Sequence, residues 1–240
     1  MEGSLRQARD NISYFGYLEN SENNTNEKDK DKFNNENSVD YLLPLKYCEK
    51  YGRFFKIQYL TKLNEYIIKD LGNGLGTFIK IQDSLYLRDR SMVNIGDSYL
   101  IFYFIGANDE KKNEKKENVN VNGVNMKLKI KLFESNNNGM KEFNFENNPS
   151  NKIRIGRKNH GNDIELSDHL SSRVNCIIKY NEEKGWILMD GNEVILKDGD
   201  IKKNSSTNGT WFLAIENIKI VENLIFKSNF IIFKCSFVKN

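Results

Sequence analysis

Three short stretches of this chain carry side chains that can grip an anion. In "IGRKNHGNDIEL" (155–166), Arg157 follows Gly156 at what reads as the end of a strand. A guanidinium can fork onto two oxygens of one phosphate, which a lysine ammonium does less well. "LSSRVNCII" (170–178) adds the Ser172 hydroxyl and a second guanidinium, Arg173. "SSTNGTW" (205–211) adds the Thr207 hydroxyl and Asn208, whose amide both donates and accepts. Around these, Gly209 permits a tight turn, and Ser205 and Ser206 can hydrogen-bond locally. Trp211 is a large apolar anchor set against a small polar knuckle. Singly, each has a plainer reading: a solvated turn arginine, a turn-capping serine, a turn-forming Thr-Asn pair. Arg173 reads equally well as a surface residue. His160 and His169 stand in polar loops, apart from any cysteine, so no metal-ligand spacing is present. No P-loop, HExxH, GxSxG or kinase motif set occurs, and no catalytic residue or cofactor is expected.

Such side chains need a rigid scaffold, and the chain supplies strands. "GRFFKIQYL", "NEYIIKDL", "GTFIKI", "DSYLIFYFI", "MKLKIKLF", "NKIRIG", "RVNCIIKY", "GWILMD" and "NFIIFKCSF" are short, rich in Ile, Phe and Tyr, and often alternate in polarity. Residues 4–10 alone read as weakly helical. The fold class is all-β, an antiparallel sandwich made twice. Two charged, Asn-rich runs, 21–37 and 107–123, have too little apolar surface to order themselves. The expected organisation is a mostly disordered segment 1–40, a β domain 41–106, a linker 107–123 and a second β domain 124–240. Residues 124–240 are expected to fold alone. An internal repeat supports the doubling: "EYIIKDLGNGLGTFIKI" parallels "GWILMD…SSTNGTWFLAI".

Bulk properties narrow the function. A net charge of +3 is too mild to argue for nucleic acid. Asparagine makes up roughly one residue in seven, a compositional bias with little chemistry in it. Cys48, Cys176 and Cys235 are scattered and odd in number, which fits reduced thiols in the cytoplasm or nucleus. No run reaches transmembrane length, and the N-terminus lacks a secretory h-region, so no membrane partner is expected.

Taken in order, the Gly-Arg turn, the Asn-Asp-Ile-x-Leu strand, Ser-Ser-Arg, and the Ser-Thr-Asn-Gly-Thr knuckle resemble the forkhead-associated (FHA) domain, over about 126–240. The resemblance implies a β-sandwich that binds phosphothreonine peptides with loops at one end. It assigns Arg157, Ser172, Arg173 and Thr207 to the phosphate side, and Asn208 to the peptide backbone. Gly156, Asn175, Gly209 and Trp211 would support the site. Asn175 stands where the family has a bracing histidine. The segment "GNEVILKDGDIKKN" (191–204) is an insertion, read as an extra hairpin beside the binding loops that carries Lys202 and Lys203.

The first half resembles a degraded copy. In "DLGNGLGTF" (70–78) the knuckle Asn falls on Leu75 and the Thr on Gly74. In "GRFFKI" (52–57), Gly52 stands for Ser and Phe55 for His. "NISYFGYL" and "VDYLLPL" are candidate early strands. The expected function is a non-catalytic phosphothreonine-binding module or adaptor. The alternatives are a structural interaction domain without phosphate binding, or a regulatory piece of a larger signalling enzyme.

Overall fold

The computed structural model describes residues 11–17, 39–43, 52–106, 123–135, 139–196, 198 and 200–238. The helical reading of 4–10, the run 21–37, Cys48 and most of 107–123 fall outside them. Every regular element among the described residues is a β-strand. The first five are β1 (Ile12–Tyr17), β2 (Tyr41–Leu42), β3 (Gly52–Leu60), β4 (Glu65–Asp70) and β5 (Thr77–Lys80). Before the second charged run come β6 (Ser84–Tyr86), β7 (Met92–Ile95) and β8 (Ser98–Ile105). After it follow β9 (Lys127–Glu134), β10 (Lys141–Phe145), β11 (Lys152–Arg157), β12 (Ile164–Leu166), β13 (Cys176–Asn181) and β14 (Gly185–Asp190). A hairpin, β15 (Asn192–Ile195) and β16 (Ile201–Asn204), leads to β17 (Trp211–Leu213). The last three are β18 (Ile218–Lys219), β19 (Ile225–Ser228) and β20 (Ile231–Lys234).

These strands form two compact units, and the units do not follow the two sequence halves. Unit 1 is Met1–Ile79 with Leu213–Asn240, and unit 2 is Lys80–Phe212. The reason is strand pairing. In unit 2, β6 runs antiparallel to β14, with Leu85 opposite Leu188. β7 pairs with β17, Asn94 opposite Trp211. In unit 1, β18 pairs with β4, Ile218 opposite Ile68, and β19 with β5, Phe226 opposite Ile79. The run 107–123, expected as a linker between domains, instead joins β8 to β9. These two strands are antiparallel neighbours from Ser98–Glu134 to Ile105–Lys127. A long hairpin connection is no domain boundary, because both its ends belong to one sheet. The segment 124–240 therefore lacks three strands of the sandwich that carries its own motifs.

In unit 2 one sheet runs β12-β11-β13-β14-β6. The facing sheet joins β10, β9, β8, β7 and β17 in that order. Period-2 alternation builds the core between them. "SYLIFYFI" of β8 turns Leu100, Phe102 and Phe104 inward, and β9 adds Leu128, Ile130 and Leu132. From the other sheet come Ile153, Ile155, Cys176, Ile178, Trp186 and Leu188. Each such side chain contributes about 1.5–3 kcal/mol on burial. Trp186 keeps its polar edge satisfied by donating Nε1–H to the Met126 carbonyl at 2.9 Å. Burial, with Asp190 nearby, pushes the Cys176 thiol well up, so it packs as an inert hydrophobe.

Unit 1 has a sheet β18-β4-β3-β1-β2, facing β5-β19-β20. The candidate early strands are present: β1 and β2 pair in parallel through Phe15–Tyr41 and Gly16–Leu42. Aromatic rings tie this unit together. Phe15 stacks on Tyr41 and on Phe55, each at 4.6 Å, and Phe55 meets Phe226 edge-on at 5.3 Å. Lys227 of β19 is the weak point, because burial drops its pKa to about 8. Folding then favours neutral lysine, and the penalty is present below pH 8. As the pH rises from about 8 to the unfolded value of 10.5, the unfolded chain holds the extra proton and stability increases. Lys227→Met is expected to raise the melting temperature at pH 7 by roughly a few degrees. It should also flatten that rise; thermal melts between pH 7 and 10.5 check both.

No helix among the described residues is long and apolar enough to cross a membrane.

Candidate functional site

The loops at one end of unit 2 gather the anion-gripping side chains. β11 delivers Gly156 and Arg157 to this end. A Cβ on Gly156 would lie 2.4 Å from the Arg173 carbonyl oxygen, so only glycine lets β11 and the loop before β13 approach this closely. The Arg157 amide then donates to the Ser172 carbonyl at 2.9 Å. Its Nη1 donates to the His169 carbonyl at 3.3 Å, while Nε is buried without a partner. An unpaired guanidinium N–H is a donor awaiting an acceptor. Ser172 and Thr207 come together from loops 35 residues apart: the Thr207 amide donates to Ser172 Oγ at 2.9 Å, and the two hydroxyls lie 3.3 Å apart. Asn208 is exposed and donates Nδ2–H to the Leu170 carbonyl at 3.0 Å. Arg173 is exposed too, with its carbonyl held by Asn162 Nδ2 at 2.7 Å.

Beneath these donors lies a buried polar brace. Asn175 is fully buried. Its Oδ1 accepts from the Ser172 amide at 3.2 Å and its Nδ2 donates to Thr210 Oγ1 at 3.0 Å. Its backbone adds bonds from Asn175 N–H to the Ile155 carbonyl and from Gly191 N–H to its own carbonyl. A short amide with a donor and an acceptor can thus tie both loops. Asp190 is the second hub. It accepts from the Ser206 amide at 3.0 Å, the Ser206 hydroxyl at 2.6 Å and the Thr210 hydroxyl at 2.6 Å. Gly209 adopts φ +80°, and Trp211, buried in β17, donates Nε1–H back to the Asn208 carbonyl at 2.9 Å. The knuckle is therefore fastened at both ends, a loop positioned by a rigid sandwich.

Reading the residues alone misses two of these parts. Asn162 donates to both the Arg157 and Arg173 carbonyls, at 3.0 and 2.7 Å. Asp190 ends a strand whose apolar run drew attention away from its last residue. The inserted segment forms the expected hairpin, β15 against β16. Its root adjoins the loops, but Glu193 of β15 is held by Lys179 at 2.6 Å and Lys152 at 3.5 Å. Lys152 begins β11 and Arg157 ends it, so these ion pairs draw the Glu193 side chain toward the end of the sheet away from the loops. Lys203 pairs across from Glu193 and goes with it.

Unit 1 shows the same strand order without the donors. A Cβ on Gly16 would lie 2.0 Å from the Gly52 carbonyl oxygen, as Gly156 does against Arg173, which puts Tyr17 in the place of Arg157. Phe55 stands opposite Asp70, as Cys176 stands opposite Asp190. Phe54, not Phe55, therefore occupies the Asn175 place, and Gly52 the place of Arg173. The expected alignment was one residue off because it matched Arg53 to Arg173 by type. Asp70 keeps its bond from the Gly72 amide at 2.9 Å, with its carboxyl held above the usual range by burial. Leu75 at the knuckle receives support from Asn229, whose Oδ1 accepts from the Leu75 amide at 2.8 Å.

Among known protein families, the FHA domain matches residues 153–232. The match starts in unit 2 and passes into unit 1 at Leu213. No curated protein and no solved structure matches the chain. The family match, the all-β sandwich beneath it and the motif residues agree: residues 153–232 carry the FHA signature, and FHA domains are non-catalytic phosphopeptide-binding modules of protein–protein interaction.

Proposed function

We propose that this chain is a phosphothreonine reader that works as an adaptor, with the loop end of unit 2 as its site. The observation that carries this reading is the convergence of Arg157, Ser172, Thr207 and Asn208 on one braced surface, with Arg157 Nε unpaired. A phosphorylated threonine brings about −1.5 to −2 charge and three acceptor oxygens. Arg157 forks onto two of them, and the Ser172 and Thr207 hydroxyls take further contacts. Arg173 adds charge from the rim. Asn208 pairs with the peptide backbone. Unit 1, with Tyr17, Gly74 and Leu75 in the corresponding places, takes a structural or protein-contact role.

A nucleic-acid role would need free lysines and open aromatics on one face. β9 does align Lys127, Lys129 and Lys131 outward. Glu146 and Glu142 pair with them at 3.1, 2.6 and 3.2 Å, which speaks for a neutralised surface.

Calorimetry of the full chain with one peptide in three forms tests the proposal. Phosphothreonine should bind best. Phosphoserine, lacking one methyl worth about 1 kcal/mol, should bind roughly fivefold weaker. The unmodified peptide should not bind measurably. Binding should fall below about pH 6, where the phosphate gains a proton. Equal binding of all three forms would defeat the reading.

A further inference from the structure

The loop 167–171 supplies the carbonyls that hold Arg157 and Asn208, through His169 and Leu170. That loop is anchored on Asp168, which is buried. Asp168 Oδ1 accepts from the Leu170 amide at 2.8 Å, and its carbonyl accepts from the Ser171 hydroxyl at 2.6 Å. Its other oxygen, Oδ2, faces the β7–β8 turn and accepts from the Asp97 amide at 3.4 Å. Gly96 in this turn has φ +55°, and a Cβ there would sit 2.0 Å from Asp168 Oδ2. The turn belongs to the first half of the sequence, yet it lies in unit 2. Beside it, Glu134 of β9 accepts from the Ser167 amide and hydroxyl at 2.6 and 2.7 Å, fixing the start of the same loop. β9 itself is paired along its length with β8.

We propose that the two halves of this chain have exchanged their closing strands, so that the first half's Gly96–Asp97 turn acts through Asp168 to position the second half's peptide-binding loop. The exchange rests on strand pairing alone; the positioning role rests on the phosphopeptide reading above. Both chain crossings fall just after the Gly-Thr-aromatic knuckle, at Ile79–Lys80 and Phe212–Leu213. β6–β8 fill in unit 2 the places that β18–β20 fill in unit 1. Asp168 is thus a positioning residue, and Gly96 leaves it room.

Two experiments on the full chain test the two parts separately. Tyr86 and Ile187 stand directly opposite in β6 and β14. Antiparallel partners are about 4.5–5.5 Å apart at Cα, within disulfide reach. Oxidised Tyr86→Cys/Ile187→Cys protein should form an intrachain disulfide, identified by peptide mapping. Without exchange, β6 would lie beside β4, and Tyr86→Cys/Ile67→Cys would link instead. That second linkage, or a disulfide between two copies, overturns the intramolecular exchange.

For the positioning role, Gly96→Ala should weaken phosphopeptide binding about tenfold or more, the size of one lost charge-assisted bond. The Leu170 amide and Asn208 side-chain amide NMR signals should shift in the unliganded protein. Asp168→Asn, which keeps Oδ1 but loses the acceptor for Asp97, should shift the same signals with the fold intact. Unmoved signals and parent-like affinity in both variants overturn the positioning role. If the parent binds no phosphopeptide, the proposed function fails, while the disulfide and the NMR shifts still decide the exchange and the brace.

Discussion

Replacing Arg157 by alanine is expected to weaken phosphopeptide binding about 30-fold or more. Charge-assisted hydrogen bonds contribute roughly 1.5–3 kcal/mol each, and the guanidinium can make two to one phosphate. A loss of about 1.4 kcal/mol is already tenfold. The fold should barely notice, because the side chain's one hydrogen bond, to the His169 carbonyl, is long at 3.3 Å and solvent-facing. Arg157→Lys should recover only part of the affinity, since an ammonium cannot fork. Asn208→Ala should also weaken binding, but through the peptide backbone. The two variants should separate on salt: loss of Arg157 flattens the salt dependence, and loss of Asn208 leaves it nearly intact. Calorimetry at two ionic strengths, with melting curves alongside, measures all of this. A folded Arg157→Ala protein that binds like the parent would place the site elsewhere.

The largest stability effect is expected from a residue outside the matched family region. Phe102 lies in β8, in the first half of the sequence, and is completely buried in the core of unit 2. Phe102→Ala should cost about 3–5 kcal/mol, from lost burial and the cavity left behind. That is a large part of the roughly 5–15 kcal/mol that holds a domain together. Hydrogen exchange should show the loss in β11, β13 and β14, which bear the binding loops, with weaker change in β1, β3 and β4. Phosphopeptide affinity should fall with it. Protection lost chiefly in β1, β3 and β4 would mean that β8 belongs to the other sandwich.

Much of this was legible in the residues. Alternation in "DSYLIFYFI" and "MKLKIKLF" marks strands with one buried face, and both form as β8 and β9. β10 was not legible: "KEFNF" is mostly charged or polar, and its two phenylalanines are only part buried. The donors at the site were readable by type and order, because few residues can grip a phosphate. Their supports were not, since Asp190 acts on the amide and hydroxyls of the following knuckle and Asn162 on backbone carbonyls to either side of it, and no local pattern of residue types marks such contacts. The register of the first half slipped by one because a lone arginine was matched by type, while a bulge between Phe15 and Gly16 shifts the pairing there. Strand partnership was the least readable property. β7 and β19 offer similar apolar edges to similar knuckles, and nothing local tells a strand which of two like sandwiches to close.

The crossing of the chain after each knuckle also bears on how such a protein can change over generations. In an ordinary tandem array, a copy that loses its ligand contacts becomes dispensable and can be deleted. Here the half that lacks the donors carries Val93, Leu100 and Phe102, all fully buried in the unit that has them. Deleting it would remove three strands from the working sandwich. Selection therefore acts on the two halves unevenly but never releases either. An exposed knuckle side chain such as Leu75 is free to drift, while the inward-facing residues of β7 and β8 stay constrained by a site dozens of residues downstream. A crossing of this kind works as a genetic ratchet: once made, it commits both halves to be inherited as one.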